Sequence, residues 1–176
     1  EFLCRLSKRK KKMNYHNITK DDMLNGDGLR VVLWVSGCTH CCDGCQNPQT
    51  WDVASGIEFD NNAKEELFDA LNKPHVSGIT FSGGDPLHPF NREVVLDLAR
   101  EIKEKFPNKT VWLYTGFLWE EVLDKIDLSN IDVLVDGEFV KELNDNTLKW
   151  VGSSNQRIIN VKKSLAENTI VNHCKP

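Results

Sequence analysis

Two rhythms of hydrophobic spacing run along this chain. Arg30-Val31-Val32-Leu33-Trp34-Val35 is a short run rich in β-branched and aromatic residues, which predicts a buried strand. Over residues 61–72 the apolar positions are Ala63, Leu67, Ala70 and Leu71, the spacing of one helical face. Residues 76–81 predict a second strand, ended by Ser82-Gly83-Gly84-Asp85-Pro86. Over 91–106, Val94, Val95, Leu98, Ala99, Ile102 and Phe106 form one stripe, and Pro107 closes that helix. Residues 110–114 predict a third strand, followed by Thr115-Gly116. Leu118, Val122, Leu123 and Ile126 mark a short helix. Residues 131–135 predict a fourth strand before Asp136-Gly137, and 157–161 a fifth; beyond Lys162 the pattern is weak.

Strands that alternate with amphipathic helices imply an α/β fold of βα units around a mainly parallel sheet. The unusual loops all follow a predicted strand. In parallel α/β folds the C-terminal strand ends share one edge and build the ligand site. The loop after Val35, Gly83-Gly84-Asp85, Thr115-Gly116 and Asp136-Gly137 therefore converge on one mouth.

Composition changes the picture little. A chain of 176 residues, 40% hydrophobic and 27% charged, suits one globular domain, expected over 13–176. No apolar run approaches the ~20 residues that span a bilayer, and no secretory pattern follows the basic start. The net charge of −4 is uneven: six of the 22 basic residues and one of the 26 acids fall in 1–12, leaving −9 on the rest. An acidic body argues against a nucleic-acid partner. Residues 1–12 are expected to be a disordered basic extension outside the fold.

The chemistry is concentrated at Cys38-Thr39-His40-Cys41-Cys42-Asp43-Gly44-Cys45, four of the six cysteines in eight residues. Without an export signal, clustered cysteines suggest a reducing cytoplasm and a metal-binding role. Cys4 and Cys174 lie far away and are expected to be incidental thiols. Cys38, Cys42 and Cys45 have the spacing C-x3-C-x2-C; three thiolates on a 4Fe–4S cube leave one iron open to another ligand. Cys38, Cys41 and Cys45 also fit a C-x2-C-x3-C reading. Structural zinc, with His40 or Cys41 as a fourth ligand, is the plainer alternative. His40 otherwise reads as a loop residue.

With the cysteine loop after the first predicted strand and Gly-Gly-acidic after the second, the chain resembles the radical S-adenosylmethionine superfamily. Cys42-Asp43-Gly44-Cys45-Gln46-Asn47, Thr80-Phe81-Ser82-Gly83-Gly84-Asp85-Pro86-Leu87 and Gly152-Ser153-Ser154-Asn155-Gln156-Arg157 resemble, within it, the activases of anaerobic ribonucleotide reductases. The resemblance covers about residues 14–161. Cys41 is outside that pattern, which favours Cys42 as the ligand. Gly44 departs from the aromatic of many superfamily members but is usual in this branch.

The resemblance implies a partial, open (βα) barrel. It implies Cys38, Cys42 and Cys45 as ligands of one 4Fe–4S cluster, and S-adenosylmethionine held by Gly83, Gly84, Asp85, Thr115, Gly116 and Asp136. It implies an activating oxidoreductase: reductive cleavage of S-adenosylmethionine gives a 5′-deoxyadenosyl radical, which takes hydrogen from a glycine of the large reductase subunit. A low-potential donor, flavodoxin-like or similar, would supply the electron. The chemistry is the cofactors' own, so no side chain is expected to be catalytic. Gly83 and Gly84, lacking Cβ, are expected to let the ligand approach the backbone, with Asp85 hydrogen-bonding its ammonium. Where some related activases carry a lysine, this chain has Glu138. Trp51 is placed to shield the cluster; Trp34 and Trp112 are expected in the core. Rival readings are a small radical enzyme acting on a small molecule, of the deazapurine synthase type, and a zinc-stabilised binding module.

Overall fold

The computed structural model describes residues 12–174. Its elements are β1 (Asn14–Asp22), β2 (Arg30–Val35), β3 (Ile57–Glu58), α1 (Asn61–Leu71), β4 (Gly78–Gly83), α2 (Arg92–Lys105), β5 (Thr110–Tyr114), α3 (Trp119–Val122), β6 (Val133–Asp136), β7 (Arg157–Asn160) and α4 (Val161–Glu167). One sheet runs β3-β1-β2-β4-β5-β6-β7. The four central strands β2, β4, β5 and β6 are parallel. At one side β1 and β3, and at the other β7, join antiparallel.

The expected mainly parallel sheet is therefore a mixed one with a parallel centre. The antiparallel strands at one side escaped the hydrophobic pattern for a physical reason. In β1 only Tyr15 and Ile18 are buried, and its pairing with β2 is interrupted twice. Both residues of β3 are exposed. In α4 only Val161 and Ser164 are buried, and its start is set by the Asn160 side chain, which accepts from the Lys163 N–H. The expectations for residues 1–11, including Cys4, lie outside the described residues. Lys12, the last of the basic run, pairs with Glu58 of β3 at 2.9 Å.

Alternation along the strands gives the sheet two different faces. Val31, Leu33, Val35, Ile79, Phe81, Val111, Leu113, Leu134 and Ile159 point to one side and form a single core with Leu67 and Leu71 of α1 and Val95, Leu98 and Ile102 of α2. The other side carries a smaller cluster of Trp112, Val133, Val135 and Ile158, packed against Tyr114, Trp150, Val151 and Cys174. Central strands covered on both faces explain their near-continuous burial.

Arg30 lies on that second face and is 0% exposed. Its guanidinium donates to the Thr80 hydroxyl at 2.8 Å, the Ile79 carbonyl at 2.6 Å and the Thr110 hydroxyl and carbonyl at 3.0 Å. It also sits 5.3 Å over the Trp112 ring. Burial lowers its pKa to about 10, so it remains charged at neutral pH. The guanidinium thus ties the beginnings of β4 and β5 together. His173 seals the same end, edge-on to Trp112 at 5.3 Å and 2.6 Å from Asp27. Among the described residues no helix is long and apolar enough to cross a membrane.

Asp132, just before β6, accepts from the Val111 N–H at 2.8 Å, Lys103 at 3.0 Å and Lys162 at 2.8 Å. Burial opposes its charge, but these three donors outweigh it and hold the carboxyl below its ordinary value. A lowered folded-state pKa contributes stability above the unfolded value, and that contribution fades as pH falls through the folded value. Asp132→Asn is expected to cost about 1–3 kcal/mol near pH 7. In urea titrations the gap to the parent protein should shrink below about pH 4, where the unfolded carboxyl begins to hold its proton.

Candidate functional site

The C-terminal ends of the parallel strands open into a cavity of about 580 Å³. Trp34 of β2, Ser82 of β4 and Tyr114 of β5, all on the second face of the sheet, form its floor. Its walls are strand-end loops: Cys38, His40, Cys42 and Cys45; Gly83, Gly84 and Asp85; Thr115 and Gly116; Gly137 and Glu138. The long connection between β6 and β7 adds Phe139, Leu148 and Trp150.

The cysteine loop is pinned at its base. Gly37 and Cys38 donate their N–H groups to the carbonyls of Thr50 (2.7 Å) and Trp51 (3.0 Å). The Cys45 N–H donates to Cys42 O at 3.1 Å, and the Asn47 N–H to the Cys45 sulfur at 3.3 Å. Cys38, Cys42 and Cys45 all reach the cavity wall, whereas Cys41 is exposed, off the wall, and in left-handed backbone at φ 49°. Burial pushes the Cys38 thiol up to about 11 and raises Cys42 as well. As protein groups alone they are neutral; a cation is required to hold them as thiolates.

Asp85 connects the walls. Its carboxylate is 2% exposed and accepts from the Leu87 N–H (2.8 Å), the Thr115 hydroxyl (2.9 Å), the Gly116 N–H (3.1 Å) and His40 Nε2 (2.7 Å). His40 Nδ1 lies 2.7 Å from Glu138. With a carboxylate at each nitrogen the imidazole donates from both. The Asp85 hydrogen bond is the main cause that raises its pKa to about 9, against burial and with help from Glu138, so it is a cation at neutral pH. His40, which sequence reasoning treated as a loop residue, thus joins three loops. Its partners are 45 and 98 residues away, a separation no local pattern reports.

Asp85 was expected to receive a ligand's ammonium, but protein donors already fill the lone-pair sites of its oxygens. The two glycines are also explained by the protein itself. A Cβ on Gly83, whose φ is 104°, would meet the Val35 backbone at 2.7 Å; one on Gly84 would meet Gly37 O at 2.5 Å. Asp136 does not line the cavity. It is 0% exposed, accepts from the Trp119 N–H at 2.7 Å and pairs with Arg157, which also forks onto Glu120 at 2.9 and 3.0 Å. Its position, one residue before the cavity wall, makes it an anchor of that wall. Gln156 and Asn155 serve similarly: Gln156 accepts from the Gly152 N–H and donates to Gly137 O, and Asn155 donates to Glu138 O.

Two features decide what this cavity suits. Its lining holds Asp85, Glu138 and Asp145 with His40 as the sole cationic side chain, and no Lys or Arg, a balance that favours cationic ligands over phosphates. The second is the donor set: three thiols of one loop share the wall, a soft set of the kind that iron–sulfur clusters take.

The comparisons agree. The family described as "4Fe-4S single cluster domain" matches residues 24–159. The anaerobic ribonucleoside-triphosphate reductase-activating protein of Enterobacteria phage T4 is 44% identical over 146 residues, which is 83% of this chain and 93% of the phage protein. That of Escherichia coli K12 is 44% identical over 150 residues, 82% of this chain and 96% of the relative. That of Haemophilus influenzae is 42% identical over 151 residues, 83% and 97%. The chain belongs to this family of reductase-activating proteins. Within it, the cavity just described is the place where the cysteine motif and the strand-end glycines meet.

The contact between loops is tight enough to test. A Cβ on Gly116 would fall 2.5–2.7 Å from the His40 ring. Gly116→Ala should drive His40 away from Asp85 and lower stability by about 1–3 kcal/mol. Thermal unfolding of the iron-free protein would check this, and a melting temperature equal to the parent's would show the loops are not so closely joined.

Proposed function

We propose that the protein generates a glycyl radical on an anaerobic ribonucleotide reductase, using a 4Fe–4S cluster and S-adenosylmethionine. The observation that carries this reading is the meeting of Cys38, Cys42 and Cys45 with Gly83, Gly84, Thr115 and Gly116 around one acidic cavity. Bound there, the two cofactors supply one-electron cleavage of the sulfonium and a 5′-deoxyadenosyl radical that removes hydrogen from the partner's glycine.

The chain's own residues bind, orient and exclude water. Cys38, Cys42 and Cys45 would hold three irons, leaving the fourth for the amino and carboxylate groups of S-adenosylmethionine. Carbonyls along Gly83, Gly84, Thr115 and Gly116 would accept from the ammonium and the ribose hydroxyls, since the Gly84, Thr115 and Gly116 N–H groups are already given to Val35 O, Val135 O and Asp85. Asp85 positions these loops rather than spending its carboxylate on the ligand, and Asp136 fixes the wall at Gly137 and Glu138. Asp85, Glu138 and Asp145 favour the cationic sulfonium and ammonium.

The order of the parallel strands supports a partial (βα) barrel. β2, β4, β5 and β6 are added in one direction without reversal, as in barrel folds, and unlike doubly wound sheets. With β3 and β7 at opposite ends the sheet stays open, leaving room for a large partner at the cavity mouth. The large reductase subunit is the partner we assign, and a flavodoxin-like or similar low-potential protein the electron donor. Free cysteines, including Cys38, Cys41, Cys42, Cys45 and Cys174, suit a reducing cytoplasm.

Anaerobic reconstitution with iron and sulfide tests the reading. The reduced protein should give a cluster electron paramagnetic resonance signal that changes shape when S-adenosylmethionine is added, because that ligand meets an iron directly. Cys42→Ala should lose most bound iron and all cleavage of S-adenosylmethionine, while Cys41→Ala should keep both near parent levels. A parent protein that binds zinc and ignores S-adenosylmethionine would refute the assignment, and equal losses from both variants would refute the ligand set.

A further inference from the structure

Trp51 carries the one buried side-chain nitrogen among the described residues that has no hydrogen-bond partner. Trp51 lines the cavity together with Cys38, Cys42 and Cys45. The backbone fixes its position: residues 48–50 form a single helical turn that Trp51 caps, and the Trp51 carbonyl accepts from the Cys38 N–H at 3.0 Å. Residue 51 is thereby held beside residue 38, at the base of the cysteine loop. Leaving a buried N–H unpaired costs about 1–3 kcal/mol, and native proteins rarely leave one so. The contrast within the chain is informative, since Trp34, on the same cavity, donates its indole N–H to the Thr19 hydroxyl at 2.8 Å.

We infer that the Trp51 indole N–H donates a hydrogen bond to a sulfur at the Cys38 corner of the cluster. Trp51 is then a positioning residue with an electronic effect. Hydrogen bonds to cluster sulfurs are among the groups that set the potential of iron–sulfur centres. Reduction adds negative charge to those sulfurs, so a donor stabilises the reduced state more than the oxidised one and raises the potential. The ring also covers that corner, which limits water at the sulfur. The Asn47 N–H already donates to the Cys45 sulfur at 3.3 Å. Trp51 supplies the matching donor near the other end of the loop.

The inference rests on the cysteine loop holding the cluster, and the experiment separates the two. Trp51→Phe, and a second variant with 3-benzothienylalanine at position 51, which keeps the bicyclic shape but lacks the N–H, are reconstituted anaerobically. The midpoint potential is measured without S-adenosylmethionine, so that its ligation plays no part. Both variants should become harder to reduce, by about tenfold in the one-electron equilibrium, which is about 59 mV. In the parent, the weak exchangeable-proton coupling seen by electron nuclear double resonance in H2O against D2O should be reduced in both variants. A potential and coupling equal to the parent's in the isosteric variant would overturn the role of Trp51 while leaving the cluster assignment intact. Failure of the parent to form any cluster would overturn both.

Discussion

The Asp85 carboxylate is the constraint on which the site depends. It is buried at the end of β4, where an unpaired charge would be strongly unfavourable. Four donors from separate places satisfy it: His40 in the cysteine loop, Leu87 in its own loop, and Thr115 and Gly116 beyond β5. None of these segments is ordered by local sequence preference alone. Because one carboxylate needs all of them, displacing any loop exposes the cost of the others. Asn91 extends the arrangement, its amide donating to Ser36 O at 2.7 Å and Asp85 O at 3.0 Å. The cysteine loop is thus held in place in large part by interactions that use no cysteine thiol.

The sheet explains why these segments meet. Parallel pairing of β2, β4, β5 and β6 brings their C-terminal ends to one edge. Side-chain alternation then decides what faces the cavity. On the helix-covered side the strands carry Val, Leu, Ile and Phe; on the other, Arg30, Thr80 and Trp112 fill the beginnings of the strands, and Trp34, Ser82 and Tyr114 lie near their ends. A buried guanidinium at the closed end and a polar-lined cavity at the open end are consequences of the same period of two. One register slip would exchange the two faces and destroy both.

This explains which parts were legible in the sequence. The parallel strands and the two long helices announce themselves because each buries an apolar face, and strand-end loops follow from them. The cysteine spacing and the Gly-Gly-Asp turn were readable for the same reason that they are local. β1, β3 and α4 were not, because each is held largely by pairing or capping and buries only two side chains or none. The interior of the site was less legible still. Gly83 and Gly84 looked like openings for a ligand; a Cβ on Gly83 would also meet the end of β2, and one on Gly84 the loop just after it. Asp136 looked like a ligand contact because it follows a strand, but the Arg157 guanidinium across the antiparallel β6–β7 pair claims it. Both readings placed the residue correctly in the chain and left out the neighbour that only the fold supplies.

The electrostatic character of the cavity follows from these placements. Two carboxylates flank one imidazole, with Asp145 farther along the wall, and no arginine or lysine lines it. A cavity meant for the triphosphate of a nucleotide would be organised the other way, with basic groups or a helix N-terminus toward the ligand. A sulfonium carrying an ammonium matches the present sign. His40 keeps the arrangement from becoming too acidic: as a cation between Asp85 and Glu138, it offsets part of their charge and holds the loop that bears Cys38 and Cys42. The same residue therefore balances charge and fixes geometry, which ties the shape of this site to its preference for positively charged ligands.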